Sequence, residues 1–124
     1  MTKITGESCI FSSGVGQLQK DLPDAVIAVV SLMSGNPEWA YTPTDATRGF
    51  ADILKKWTTP EKIVYADVYS VWQFVLGRNG FFALTGNGVN HPNDFGHSIY
   101  ASVILSVMIP SCDGSAERSF RNQT

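Results

Sequence analysis

The residues able to do chemistry concentrate in one stretch, Gly86-Asn87-Gly88-Val89-Asn90-His91-Pro92-Asn93-Asp94-Phe95-Gly96-His97. Histidine titrates nearest neutrality, which suits it to general acid or base work. Two glycines and a proline punctuate the stretch ahead of Asn93, so the backbone there is a loop. Pro92 pushes His91 toward extended backbone. Asn93 or Asp94 can then cap the helix that follows. His91 thus stands on a stiffened loop just before a helix start, an unusual position for a residue whose task is packing. The chemistry that fits is acyl transfer. There a histidine takes the proton of a serine hydroxyl while a third group orients the imidazole.

Other uses of these residues weigh less. His91, Asp94 and His97 match metal ligands in residue type, but their spacing is not that of a helical His-Glu-x-x-His motif. No metal and no other cofactor is expected. Asp94 reads as a helix-capping residue and His97, in the first turn, as a structural hydrogen-bonding one. Asn87 precedes His91 by four residues, and its amide can hold the imidazole ring by hydrogen bonding, but it supplies no negative charge.

Several elements must position this loop. Ala25–Leu32, a β-branched and nearly continuous apolar run, predicts a strand buried on both faces, as in a parallel sheet. Lys62–Asp67 predicts a second strand. Between them, Thr42 can cap and Pro43 suits the first position of a helix, with Asp45 where a capping box wants an acid. That helix, Thr44–Trp57, carries Ala46, Phe50, Ile53, Leu54 and Trp57 as one apolar stripe, read as core packing rather than a ligand face. Val68–Leu76 returns to helical spacing through Val68, Val71, Trp72 and Val75. The last helix, Asp94–Ile109, has a wide apolar face of Ile99, Tyr100, Val103, Ile104, Val107 and Met108, and Pro110 ends it. At the N-terminus, Cys9-Ile10-Phe11 suggests a short strand within an irregular segment 1–17, and Leu18–Leu22 the end of a helix. The domain covers 18–110, and 111–124 reads as a polar tail.

This alternation predicts an α/β domain with a parallel sheet. Catalytic groups in open α/β sheets gather at the carboxyl ends of the strands. Asp67 and Ser31 to Ser34 stand at strand ends and His91 on the last loop before the final helix, so all are expected to reach one crevice. Two or three strands make a poor sheet, however. The chain reads as part of a larger doubly wound domain, prone to self-association or to pairing with a missing N-terminal half.

Composition excludes several classes. The chain has 124 residues and a net charge of −2, with no basic tract to attract nucleic acid or an anionic membrane. The longest apolar helix candidate spans roughly 18 Å at 1.5 Å per residue, too short for a bilayer. No signal peptide is visible. Cys9 and Cys112 lie near opposite ends and form no motif. Asn122-Gln123-Thr124 matches a glycosylation sequon.

The stretch around His91 resembles the last block of the SGNH hydrolases, the GDSL esterases and lipases, where an Asp-Gly-x-Asn-His-Pro-Asn segment carries the catalytic histidine. The resemblance covers about Leu22 to Met108. Pro23-Asp24-Ala25, Gly35-Asn36-Pro37-Glu38-Trp39, Asp67-Val68-Tyr69 and Phe95-Gly96-His97-Ser98-Ile99-Tyr100-Ala101 also look like that family. It implies a partial flavodoxin-like three-layer α/β/α sandwich with a parallel sheet, and hydrolysis of a carboxylic ester with His91 and Asn87 in the site. Asn87 occupies the place of the family's acid, and Asp67 is a candidate substitute. The family's Gly-Asp-Ser nucleophile block and its Gly-x-Asn-Asp oxyanion block do not occur in this sequence. Ser8, Ser12 and Ser13 lack that context. The expectation is therefore the C-terminal half of an ester hydrolase, inactive alone. The alternative is a non-enzymatic binding or structural module derived from the same fold.

Overall fold

The structure, a computed structural model, describes residues 7–58 and 62–109, with side chains from Phe11 onward. In chain order these form α1 (Glu7–Asp21), β1 (Ile27–Val30), α2 (Thr44–Trp57), β2 (Ile63–Ala66), α3 (Val68–Asn79), a 3-10 turn (Phe81–Ala83) and α4 (Asp94–Met108). β1 and β2 pair in parallel, from Ile27 opposite Ile63 to Val30 opposite Ala66. The α/β architecture with a parallel sheet is as the alternation of elements predicts. The ladder is shorter than the two apolar runs, because pairing extends only where both strands run side by side. At its ends Ile27 N–H donates to Lys62 C=O at 2.8 Å and Ser31 N–H to Ala66 C=O at 3.1 Å.

Side chains alternate across a strand, so the sheet has two apolar faces. One face presents Val29 and Ile63 to Val15 of α1 and to Leu54 and Trp57 of α2. The other presents Val30 and Ala66 to the main core, built on Val68 and Trp72 of α3, Leu84, and Ile99 and Val103 of α4. Helices therefore cover both faces of a two-stranded sheet.

Several details differ from the sequence expectation: α3 runs on to Asn79 rather than ending at Leu76, and the cap of α4 is Asn93, with Asp94 the first helical residue. Cys9–Phe11 is helical, and most of the segment read as irregular lies in α1. A lone apolar triplet has no partner to pair with as a strand, whereas a helix lets Val15 pack on the sheet and sets Phe11 edge-on to Trp57, centroids 5.2 Å apart. The N-cap of α2 is Pro43, without a side-chain cap, rather than Thr42. The buried face of α2 runs through Ala51 and Leu54, leaving Phe50 exposed. Val71 and Met108 are exposed as well, and Leu76 takes a core position. The helix stop at Pro110, Cys112, the tail and the sequon lie outside the described residues.

Candidate functional site

The strands deliver two buried serines to their carboxyl end, and both hydroxyl oxygens accept structural hydrogen bonds. Ser31 Oγ donates to Ala66 C=O at 3.4 Å and accepts from Tyr69 N–H at 2.9 Å. Ser34 Oγ accepts from the Gln73 side chain at 2.7 Å. Asp67, one residue past β2, caps α3 by accepting from Ser70 N–H at 3.0 Å and from Ser70 Oγ at 2.9 Å. Its second partner is Lys55 Nζ at 3.4 Å. Partial burial pushes the Asp67 carboxyl up, but the Ser70 hydrogen bonds and Lys55 outweigh it and hold the group below the usual carboxylate range.

The His91 loop is fixed from several sides. Asn87 Oδ1 accepts the backbone N–H groups of Val89, Asn90 and His91, each at 3.0 Å. Its Nδ2 donates to Asn90 Oδ1 at 3.0 Å. Gly86 N–H donates to His91 C=O at 2.9 Å, and Thr85 and Pro92 form an antiparallel bridge. At the base, Asn93 N–H donates to Leu84 C=O at 3.0 Å and Asn93 Nδ2 to Ala83 C=O at 3.0 Å, while Asn93 Oδ1 caps α4 by accepting Gly96 N–H at 2.9 Å. Gly88 takes the positive φ of 70° that favours glycine. Gly96 lets the loop lie on the helix, because a Cβ there would meet Leu84 C=O, Pro92 and Trp72.

Asn36 joins this loop to the exit of β1. It is buried; its backbone N–H donates to Val89 C=O at 2.8 Å and its Nδ2 to Gly88 C=O at 2.8 Å. Its Oδ1 accepts Glu38 N–H at 2.9 Å. Nothing in the order of residues marks Asn36 as a positioning residue. The signal available was an Asx turn ahead of Pro37, which says nothing of a loop about fifty residues away.

The outcome is an exposed imidazole on a backbone pinned at both its N–H and its C=O. Among the described residues no hydrogen bond reaches the His91 ring. Asn87 acts on the loop backbone and not on the ring. Asp67 and the His91 loop border different depressions, and His91 itself lines neither, so the expected single crevice for both groups is not formed. One, of about 430 Å³, is charged and lies among Arg48, Asp52, Lys55, Tyr65 and Asp67. The N-terminal amides of α3 beside it are already taken by Ser31 and Asp67. The other, of about 330 Å³, lies between the β1 exit, the start of α2 and the loop residues Asn90 and Pro92 that flank His91. Ser12 and Ser13 are exposed on α1; the side chain of Ser8 lies outside the described residues. Among the described residues, no group of three or more His, Cys, Asp or Glu side chains is arranged to hold a metal ion. Nor is any helix there long and apolar enough to cross a membrane.

Fold and site together define a partial α/β domain that presents a histidine from a braced loop at the carboxyl end of its sheet. No family model matches the chain, and no curated protein or solved structure matches it either.

Proposed function

We propose that this chain is the histidine-bearing half of a carboxylic ester hydrolase of the SGNH type, in which His91 is the general base and the serine and oxyanion donors come from a partner N-terminal half. The observation that carries the reading is the pinned backbone of His91 beneath an uncommitted, exposed ring. Fixing a general base before the substrate arrives is what acyl transfer needs. Asn87 is in the site as the residue that fixes the loop.

Alone, the chain lacks a Gly-Asp-Ser block, and Ser31 and Ser34 are committed to structural hydrogen bonds. Loss of even one oxyanion donor costs about 10² to 10³ in rate. The isolated chain should therefore hydrolyse a short-chain activated ester no faster than free imidazole, and changing Ser8, Ser12 and Ser13 together should leave that rate unchanged.

The test adds a polypeptide that carries the Gly-Asp-Ser half of an SGNH-type esterase, truncated before its own histidine block. Complex formation is followed by size-exclusion chromatography and turnover by steady-state hydrolysis. The proposal expects a complex whose turnover disappears with His91→Ala. Failure to associate, or a complex with no His91-dependent turnover, refutes it. One observation favours the competing reading of a non-enzymatic binding module: among the described residues no carboxylate orients the His91 ring.

A further inference from the structure

We propose that the cleft beside His91 binds an uncharged single-ring aromatic group bearing a hydrogen-bond acceptor, such as the carbonyl of an aryl ketone or aryl ester. Its volume of about 330 Å³ sits at the small end of ligand pockets and suits one ring with a short substituent. The walls are mostly apolar or aromatic, chiefly Leu32, Met33, Trp39, Tyr41, Pro43 and Pro92. Trp39 and Tyr41 meet edge to face, with centroids 5.9 Å apart at 76°, and both are exposed. Such a pair leaves aromatic surface open to a third ring in the offset or edge-on arrangement that aromatic groups prefer.

The chemistry of the walls also sets the charge. No Asp, Glu, Lys or Arg lines this cleft, whereas the charged depression at the same end of the sheet has both signs. A charged ligand entering it would lose hydration without meeting a countercharge. Thr42, Thr47 and Asn90 add polar groups to the lining, and the half-buried Tyr100 hydroxyl is the donor assigned to the ligand. Tyr100 lines the cleft, and its hydroxyl oxygen already accepts Met33 N–H at 2.9 Å. The hydroxyl proton has no acceptor among the described residues. Burial raises the Tyr100 phenol above its ordinary range, although the Met33 hydrogen bond works against this, so the group remains a donor at neutral pH.

Asn90 and Pro92 line the cleft and flank His91 in the chain, so a bound ring lies next to the loop that carries the histidine. The link from binding to ester hydrolysis rests on the reading of His91 above, but binding itself does not.

The test is a titration of the full chain followed by amide and indole ¹H–¹⁵N NMR, with acetophenone as the probe. Benzoate, which has the same ring with a charge, is the control. We expect saturable shifts at the Trp39 indole, Gly35 and Asn90, with benzoate at least about 10-fold weaker. Tyr100→Phe should weaken acetophenone about 2- to 10-fold, the loss of one net hydrogen bond. Trp39→Ala, at an exposed position, should weaken it too and covers the case in which Tyr100→Phe fails to fold. Absence of saturable shifts, benzoate binding as tightly as acetophenone, or indifference to Trp39→Ala would overturn the assignment. If acetophenone binds while the complementation assay shows no His91-dependent turnover, the hydrolase reading fails and the cleft assignment stands.

Discussion

Asn87→Ala tests the bracing of the His91 loop most directly. The substitution removes one oxygen that accepts three backbone N–H groups at 3.0 Å each, and one amide that donates to Asn90. A net hydrogen bond contributes about 0.5–1.5 kcal/mol, and the low end applies here because Asn90 and His91 are exposed and their amides can turn to water. Three bonds that share one acceptor fall short of three times that value. The loss is therefore about 1–2 kcal/mol, and it is felt locally, in the free energy that opens 86–92, more than in global unfolding. A change of that size is a factor of about 5–30 in the closed-to-open ratio. Native-state amide exchange reads it: protection at Val89, Asn90 and His91 should fall by that factor, while Val103 in the core stays within about twofold. Asn87→Asp is the informative control. Its carboxylate accepts the same three amides, so protection at neutral pH should return to near the parent level. Those bonds favour the charged form and lower the carboxyl in the folded loop below its unfolded value. The restored protection is thus fully present above an unfolded value of about 3.9 and is lost as pH falls through the lower, folded one. Unchanged protection of all three amides in Asn87→Ala would refute the claim that Asn87 fixes the loop.

Three further outcomes follow from the packing. Trp72 is fully buried and its Nε1 has no hydrogen-bond partner among the described residues, so Trp72→Phe trades a smaller ring against removal of a buried unpaired N–H worth about 1–3 kcal/mol; urea melts should show it within about 1 kcal/mol of the parent, against about 3–5 kcal/mol lost in Trp72→Ala. Gly96→Ala should destabilise by about 1–3 kcal/mol despite the better helix propensity of alanine, because the new Cβ presses on the Leu84 carbonyl, which belongs to backbone and cannot swing aside; a melt at or above the parent value would contradict this contact. Asp67→Ala should cost about 0.5–2 kcal/mol at neutral pH through the lost cap of α3. Because the folded carboxyl titrates below its ordinary 3.8, that advantage is present above 3.8 and shrinks as pH falls through the lower folded value, so melts of parent and variant should converge in acid.

The sequence determined what depends on local periodicity and turn chemistry. The predicted bounds of α2, Thr44–Trp57, match the observed ones, and α4 starts at Asp94 behind the cap on Asn93. Both signals are carried by neighbouring residues, and a helix closes its hydrogen bonds within itself. The parallel pairing was legible too, since a helix between two apolar runs leaves little other choice. The loop chemistry was legible as residue types: a histidine between a glycine-rich turn and a helix cap. The partners of those residues were not. Asn87 holds the backbone of its own loop, Asp67 turns to Ser70 and Lys55, and Asn36 bridges from β1 to Gly88 and Val89. Nor does the helical pattern reveal which side of α2 faces the sheet. Phe50 and Leu54 are both apolar, yet the sheet takes Leu54 with Ala51 and leaves Phe50 exposed. The physical reason is the same in each case. Hydrogen-bonding capacity and apolar area belong to a residue and can be read from its type. The atoms that satisfy them lie wherever the chain returns in space, and only tertiary packing sets that distance.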